Sequence, residues 1–287
     1  MLKKIILGII LGLATGCSDQ GPVSPTPETS NSAAKLTISQ YEVAGRREVL
    51  EDLRVLFGLE PLGPIPYPAN NPPVTERIAL GRLLFFDPIL GGEKDVSCGT
   101  CHHPDFAFAD GRQFGAGSSG VGLGPDRQVS ASAITGDPID LEPRNPPTVF
   151  NVAFNADETG HPSATGFQLL DGRFRGLEEQ ATGPIRVRVE MRGDAYPEEV
   201  ALDSLIARLR GIPAYVDLFT QAFPEEAALQ DGATIIDSST FARALAAYDR
   251  ELVTRNSPYD QYVSGDEYAL SPLQRKGLKL FFTKKLS

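Results

Sequence analysis

Residues 96–102, with the sequence VSCGTCH, are the stretch that decides how this chain folds. They contain Cys-x-x-Cys-His, the pattern by which proteins attach a c-type haem. Cysteines three positions apart share one side of a helical turn, so Cys98 and Cys101 can both reach the vinyl groups of one porphyrin. His102 then lies under the ring, where its imidazole binds the iron as the proximal ligand. The stretch therefore predicts a covalently bound haem c.

Three other interpretations of this motif are open at the level of sequence. A zinc site needs four ligands, and only His103 and His161 could complete one. A thioredoxin-like motif lies between a strand and a helix, whereas His103-Pro104 follows this one and stops a helix. The third is a disulfide between the two cysteines. We expect His103 to lie at the surface or against a haem propionate, and His161 to be a loop residue or a sixth iron ligand.

Composition limits the class of protein. The 287 residues include 37 acidic and 27 basic side chains, which give a net charge of −10 and a pI near 4.9. Nucleic-acid phosphates require clustered Lys and Arg, so nucleic-acid binding is excluded. No apolar run reaches the roughly 20 residues that span a bilayer, which excludes a polytopic membrane protein. The length allows one large domain or two smaller ones.

The first 36 residues predict export and a membrane anchor. Lys3 and Lys4 precede an apolar stretch at 5–14, and small residues then lead to Cys17. This order resembles a bacterial lipoprotein signal, in which the cysteine is lipidated, with an ordinary secretory signal as the alternative. We predict a signal peptide over 1–16, lipidation at Cys17 and a flexible tether over 17–36. The protein is then expected on the periplasmic side of a bacterial membrane, which it contacts only through the lipid.

Helical patterns dominate the rest of the chain and predict a mainly α fold. Amphipathic spacing covers residues 75–86, 202–223 and 239–253, and residues 271–274 (SPLQ) are typical of a capped helix start. Between these helical segments lie Gly- and Pro-rich loops, notably at 111–125 and 137–147. Loops of this length are uncommon in a compact domain unless they surround a bound group, and a haem is a candidate for that group.

One helical pattern occurs twice. The segment GRLLFF at residues 81–86 recurs as GLKLFF at residues 277–282, and each copy leads through a short polar stretch to a serine. In the first copy the residue after that serine is Cys98. Chance similarity of two amphipathic helices is one explanation. The other is that a second haem-binding domain begins here and the sequence stops just before its attachment motif.

Several motifs in a fixed order resemble those of the bacterial di-haem cytochrome c peroxidases, a family that includes the MauG-like proteins. The resemblance covers residues 73–287. Its markers are LGRLLFFD (80–87), SCGTCH (97–102), FAFADG (106–111), RNPPT (144–148), DGR (171–173), LEEQATGP (177–184) and VEM (189–191). It implies an N-terminal, peroxidatic cytochrome c-like domain over 37–192 and the start of a second such domain over 193–287, with a second haem expected beyond residue 287.

The resemblance also implies an activity and its residues. The family reduces hydrogen peroxide to water with electrons from a small periplasmic cytochrome c or cupredoxin. Gln180 and Glu190 match its distal-pocket glutamine and glutamate, and Asn145 matches an asparagine that helps to hold a calcium ion between the domains. A carboxylate there can move a proton from the near peroxide oxygen to the far one. A solvated surface carboxylate is the other interpretation of Glu190.

Two other functions, and two departures from the family pattern, qualify this picture. A mono-haem electron carrier and MauG-like oxidation of a protein substrate are the alternative functions, and the oligomeric state, a homodimer included, is open.

Leu170 stands where the family has an aromatic residue before DGR, so an electron relay through that side chain is not expected. Residues 136–138 lack the histidine that blocks the peroxidatic iron in many relatives, so we expect that iron to be five-coordinate or water-bound.

Overall fold

The computed structural model describes residues 52–229 and 232–283, together with the backbone of two strands before them. Strand β1 (Gln40–Val43) pairs antiparallel with β2 (Arg46–Val49), and the two belong to a unit separate from the one that begins at Leu53. The predicted signal peptide, the tether and the lipidated Cys17 lie outside the described residues.

From Leu53 onward the chain folds as helices joined by long loops, which confirms the mainly α class. The α-helices are α1 (Leu53–Phe57), α2 (Thr75–Phe86), α3 (Cys98–Cys101), α4 (Gly176–Gln180), α5 (Ala201–Arg210), α6 (Pro213–Ala222), α7 (Pro224–Ala227), α8 (Ser238–Glu251), α9 (Pro258–Val263) and α10 (Pro272–Phe282). Two short antiparallel pairs join β3 (Gly120–Val121) to β4 (Gln128–Val129) and β5 (Phe167–Gln168) to β6 (Phe174–Arg175).

Single helical turns connect these elements. The 3₁₀ turns are Pro88–Leu90, Pro104–Phe106, Gly124–Asp126, Val152–Phe154, Pro184–Arg186, Glu198–Val200 and Gly232–Ile235, and Arg188–Arg192 is a π-helical turn. In the part of the chain that is described, no helix combines the length and the hydropathy that a bilayer-spanning segment needs.

The sequence patterns locate the helices well. Helix α2 has the predicted bounds, and α8 begins one residue before the predicted stretch and ends two residues earlier. At α10 the Ser271 hydroxyl accepts the Gln274 N–H, and the Gln274 side chain accepts the Ser271 N–H. The helical pattern over 202–223 is divided in two, because α5 ends before Gly211 and Pro213, which lacks an N–H, begins α6.

The main core is built around α2 and α8. Leu84 and Phe85 of α2 share one buried apolar cluster with Phe241 and Leu245 of α8 and with residues of α5 and α6. A side chain at Gly81 would overlap the Ala244 carbonyl, so this glycine lets the two helices approach closely. The cluster draws residues from both sides of position 192. The division into domains over 37–192 and 193–287 stays a prediction.

The second copy of the helical pattern packs differently from the first. Helix α10 contacts a smaller cluster formed by Leu53, Tyr262, Val263 and Leu270, and the Phe282 ring stacks on Phe57 at a centroid distance of 5.4 Å. A side chain at Gly277 would meet no atom of the described residues within 4 Å, and Phe281 is 74% exposed. That a second haem-binding domain begins at this helix stays a prediction.

Candidate haem-attachment site

The motif Cys-x-x-Cys-His folds as a single helical turn, α3. The Ser97 N–H donates to the Thr100 hydroxyl over 2.9 Å, and the His102 N–H donates to the Cys98 carbonyl over 2.9 Å. Both thiols are free rather than joined as a disulfide, and Cys98 packs against the main apolar cluster. The described residues contain no group of three or more His, Cys, Asp or Glu side chains arranged to hold a metal ion, so the zinc interpretation has no support there.

His102 is held in the tautomer that a metal ligand requires. Its Nδ1 lies 3.1 Å from the Phe108 carbonyl oxygen, which can only accept a hydrogen bond, so Nδ1 carries the proton. The other ring nitrogen, Nε2, therefore has a lone pair available for iron. Burial lowers the pKa of His102, which keeps the ring neutral as a ligand must be.

A strained loop brings the Phe108 carbonyl to His102. After the turn Pro104–Phe106, both Ala107 and Phe108 adopt left-handed backbone conformations, with φ of 55° and 54°. A residue other than glycine in this conformation costs about 1 kcal/mol or more, so the surrounding structure must stabilise it. The His103 N–H donates to the Ala109 carbonyl, the Phe108 N–H donates to the His103 carbonyl, and the Phe108 ring packs on Phe150. We call residues 97–109 the attachment turn.

The other two histidines lie in surroundings of their own, and the role of His161 as a sixth iron ligand stays a prediction. The His103 side chain accepts the Asp105 N–H over 3.2 Å and so begins the turn that follows it, in agreement with a residue near the surface. His161 is exposed in its loop. A cavity of about 480 Å³ lies beside the turn, but residues such as Phe86, Ser97 and Val121 line it, and neither cysteine nor His102 does.

The two cysteines lie in different surroundings, neither of which activates a thiol. Cys98 faces Asp249 of α8, whereas Cys101 lies near Arg127 and among the carboxyl groups of Asp110, Glu142 and Glu190. Burial raises the pKa of Cys98 well above its usual range and that of Cys101 to about 12. Both are therefore thiols rather than reactive thiolates at neutral pH, as suits cysteines that hold a cofactor covalently.

A second chain segment positions Glu190 beside Cys101. The Ala116 carbonyl lies 3.7 Å from the Cys101 Sγ, and the Ser118 hydroxyl donates to the Arg188 carbonyl over 2.6 Å. A side chain at Gly117 would overlap the carbonyls of Val189 and Glu190, so only glycine allows this approach. The buried Arg127 fixes the segment by donating to the carbonyls of Ala116 and Gly117. We call residues 115–118 the bridging segment.

The predicted distal residues are half-buried and unpaired. Burial raises the pKa of Glu190, and the charge of Arg173 opposes that change. Glu190 and Gln180 form no side-chain hydrogen bond with any described residue, so both can contact a bound molecule. Gln180 ends α4, just before the turns that lead to Glu190. Leu170, in the place of the family's aromatic residue, is 82% exposed.

Sequence reasoning missed two carboxyl groups near the site. Asp110 is 2% exposed, and its charge acts on His102. Glu142 lies in the long loop at 137–147, where burial and the charge of Glu190 raise its pKa to about 7. Asp110 could have been found, because it lies inside the motif FAFADG. No local sequence pattern indicated Glu142, because the residues around its side chain come from elsewhere in the chain.

The surroundings of Asn145 leave its predicted role as a calcium ligand untested. Its amide nitrogen donates to the Arg112 carbonyl and to the Asp110 carboxylate, the latter over 3.3 Å. This arrangement leaves the amide oxygen of Asn145 free to bind a cation. The calcium site stays a prediction.

Unpaired polar atoms around the cysteines fit a site that a bound group completes. One carboxyl oxygen each of Asp110, Glu142 and Asp249 is buried without a hydrogen-bond partner among the described residues. Buried polar atoms are nearly always paired, so three of them around one turn call for an explanation. With two thiols on one helical turn and an imidazole in the tautomer that a metal ligand requires, the residues present fit a covalently attached haem.

Comparison with known proteins then decides the family. A model of the family described as di-haem cytochrome c peroxidase matches residues 75–268, which is more than half of the sequence. The chain belongs to the di-haem cytochrome c peroxidase family. Membership confirms the resemblance carried by the sequence motifs and implies covalently bound haem c.

Individual relatives are similar over most of this chain. The cytochrome c551 peroxidase of Pseudomonas aeruginosa is 38% identical over 210 residues, which cover 73% of this chain and 49% of that protein. The methylamine utilization protein MauG of Methylorubrum extorquens is 34% identical over 220 residues, covering 77% and 50%. A crystal structure of a MauG-like protein associated with microbial copper homeostasis aligns with a TM-score of 0.57 at 26% identity, covering 77% of this chain and 53% of that one. The chain thus spans about half the length of the relatives it matches.

Proposed function

We propose that this protein reduces hydrogen peroxide to water at a haem c attached to Cys98 and Cys101, with His102 as the proximal ligand. The observation that carries the proposal is the placement of a half-buried carboxyl group, Glu190, beside the thiol of Cys101. A cofactor bonded to that thiol would lie next to a group able to accept and return a proton. The relatives named cytochrome c peroxidases support the same activity.

The haem, when bound, supplies an iron that binds peroxide and transfers electrons. The chain holds it through the two cysteines and orients the His102 imidazole through the Phe108 carbonyl. Because that imidazole donates Nδ1–H to a carbonyl, its Nε2 becomes a stronger electron donor to iron. The attachment turn would thus hold the cofactor through the two cysteines and keep the His102 imidazole in the tautomer that can bind iron.

Glu190 and Gln180 would act on peroxide itself. The Glu190 carboxylate accepts the proton of the near peroxide oxygen and returns it to the far oxygen, which leaves as water. A pKa raised by burial suits this role, because a stronger base accepts the proton more readily. The Gln180 amide can donate a hydrogen bond that orients the peroxide. Two electrons and two further protons complete the reduction to two water molecules.

The electrons would come from a small cytochrome c or cupredoxin. The chain carries a net charge of −10, which favours encounter with a basic redox protein. Residues 136–138 contain no histidine, and His161 is exposed, so we propose that peroxide reaches the iron without a preceding reductive activation. A resting-state spectrum that shows only low-spin, bis-histidine iron would contradict this part of the proposal.

The cellular location is proposed from the sequence alone. We propose export and anchoring through a lipid on Cys17, which would place the folded part among the periplasmic electron donors. The change Cys17→Ser is expected to move the protein from the membrane fraction to the soluble periplasmic fraction, as detected by immunoblotting. Haem attachment at residues 98–102 should be unchanged in that variant.

Replacement of the proposed proton acceptor tests the function. We expect Glu190→Gln to lower kcat/KM for peroxide by about 10²- to 10⁴-fold, because an amide cannot accept the proton. Haem content should equal that of the wild type. Glu199→Gln, the same change at an exposed residue, is the matched control and should keep the full rate. An unchanged rate in Glu190→Gln removes this residue from the mechanism.

MauG-like oxidation of a protein substrate is the second candidate function. The similarity to MauG of M. extorquens over 77% of this chain favours it. Steady-state assays separate the two candidates: a peroxidase consumes peroxide with a reduced small redox protein alone, whereas an oxidase of proteins needs a protein substrate for the same turnover.

A further inference from the structure

The proposed mechanism leaves one buried acid near the site without a role. Glu142 is half-buried in the loop at 137–147, and its Oε1 is buried with no hydrogen-bond partner among the residues described. A buried carboxyl oxygen is nearly always hydrogen-bonded, so this unpaired oxygen calls for an explanation. Its neighbours Leu141 and Pro143 are exposed, so the same loop reaches solvent. Glu142 therefore lies between the interior and the surface.

The bridging segment holds Glu142 and Glu190 together. At one end, the Glu142 N–H donates to the Gly115 carbonyl over 2.9 Å, and the Gly115 N–H donates to the Arg144 carbonyl over 3.2 Å. At the other end, the Ser118 N–H donates to the Val189 carbonyl over 3.2 Å. One stretch of four residues thus fixes both loops that carry the carboxyl groups.

Between these ends, the bridging segment also contacts the attachment turn. The Ala116 carbonyl lies 3.7 Å from the Cys101 Sγ. The backbone of each loop that carries Glu142 or Glu190 is therefore anchored on the segment that also contacts a cysteine that would hold the haem. We call Glu142 and Glu190 the carboxyl pair.

The charges around the carboxyl pair favour one shared proton. Burial raises the pKa of Glu142 to about 7, and the negative charge of Glu190 adds to this effect. Arg173 is the cation that acts on Glu190 and lowers its pKa, so Glu190 ionises first and Glu142 keeps the proton. Arg127 and Asp110 are the other charged groups that act on Cys101 beside the pair. Because the charge of Glu190 raises the pKa of Glu142, the ionisation of Glu190 affects the protonation of Glu142.

We propose that Glu142 relays protons from solvent to Glu190 during the peroxide reaction. The inference rests on the proposed function. Reduction of one peroxide to two waters breaks one O–O bond and takes up two electrons, supplied by the small redox protein, and two protons. Glu142 in its acid form passes a proton to the Glu190 carboxylate and takes another from solvent at its exposed loop. It acts through Glu190 and does not touch peroxide.

Infrared spectroscopy of the haem-loaded protein measures the carboxyl pair directly. With rising pH, the wild type should lose protonated carboxyl bands near pH 7, because burial raises the pKa values of both Glu142 and Asp249 to about 7. Glu142→Gln should lose one component of this transition, because one titrating group is gone, and the Asp249 component should remain. Glu190→Gln should move the Glu142 component to lower pH, because the repelling charge is gone. Glu199→Gln should match the wild type. A neutral transition in Glu142→Gln as large as that of the wild type would overturn the assignment.

Kinetics then test the relay itself. We expect Glu142→Gln to lower kcat by about tenfold with KM for peroxide unchanged, and a small carboxylic acid such as acetic acid to restore part of the rate. The variant should also lose the change in rate that the wild type shows near neutral pH. A wild type that does not turn over peroxide overturns the proposed function and the relay with it. Wild-type turnover with a fully active Glu142→Gln overturns the relay alone.

Discussion

The attachment turn takes its residues from one stretch, 97–109, whereas the carboxyl pair takes Glu142 and Glu190 from two distant loops. On the attachment turn, hydrogen bonds within that stretch hold His102 and Phe108 in place. The carboxyl pair has no such local support and depends on the bridging segment. The contrast teaches that the part of the site that binds the cofactor is encoded locally, while the part that would do acid–base chemistry depends on tertiary packing.

Removing both thiols is expected to abolish haem attachment at the attachment turn, which is the largest effect predicted. In the double variant Cys98→Ala, Cys101→Ala, we expect covalent haem to be lost completely, because no other described cysteine is present to replace them. Helical content should persist, since Cys98 only borders the main apolar cluster. Haem staining on a denaturing gel and circular dichroism measure the two outcomes. A haem-stained band in the double variant would show that attachment occurs elsewhere.

Filling the space at Gly117 disturbs the carboxyl pair while leaving the attachment turn intact. In Gly117→Ala the new methyl group meets the carbonyls of Val189 and Glu190, which are backbone atoms and cannot rotate away. A shift of about 1 Å in the loop of Glu190 should lower kcat/KM for peroxide by about a hundredfold. Haem content should equal that of the wild type.

A glycine with open surroundings is the control for this variant. Gly277→Ala places a methyl group on α10 where no described atom lies within 4 Å, so activity should be unchanged and stability should rise by up to about 1 kcal/mol. If Gly117→Ala is as active as Gly277→Ala, the bridging segment does not position Glu190.

Relieving strain in the attachment turn has the smallest expected effect. Ala107 has a φ of 55°, which glycine adopts without a steric penalty. We expect Ala107→Gly to raise the free energy of unfolding by about 1 kcal/mol, as measured with denaturant, and to leave haem attachment unchanged. Ala109→Gly, at a residue outside the left-handed region, should lower it by about 0.5–1 kcal/mol. An equal decrease in the free energy of unfolding in both variants would mean that Ala107 is not strained.

The same contrast explains what the sequence could predict. The cysteine spacing and the capped helix starts depend on neighbours within one turn, so α3 and the first residues of α10 could be foreseen. The tautomer of His102 could not, because it depends on the left-handed pair at 107–108. Gln180 and Glu190 could be proposed only through resemblance to a family. Glu142 escaped notice because it packs beside Gly115, which is distant in the sequence, and because the charge that acts on it comes from Glu190.

Like the site, the packing of the helices could be predicted only in part. The pattern over 202–223 gave the apolar face of α5 and α6, but it did not reveal that Gly211 and Pro213 divide it into two helices. The repeated segment looked alike in α2 and α10, yet Gly81 lies against a neighbouring helix, whereas no described atom lies within 4 Å of a side chain built at Gly277. Periodicity identifies which residues are apolar, whereas the partner that covers them is decided by the tertiary fold.

The mass of the intact wild-type protein, produced with cytochrome c assembly factors and then denatured, tests the account most directly. We predict a mass that exceeds that of the processed polypeptide by one haem, with the thiols of Cys98 and Cys101 both unreactive toward a thiol reagent. A polypeptide without added mass, in which both thiols react, would contradict the account.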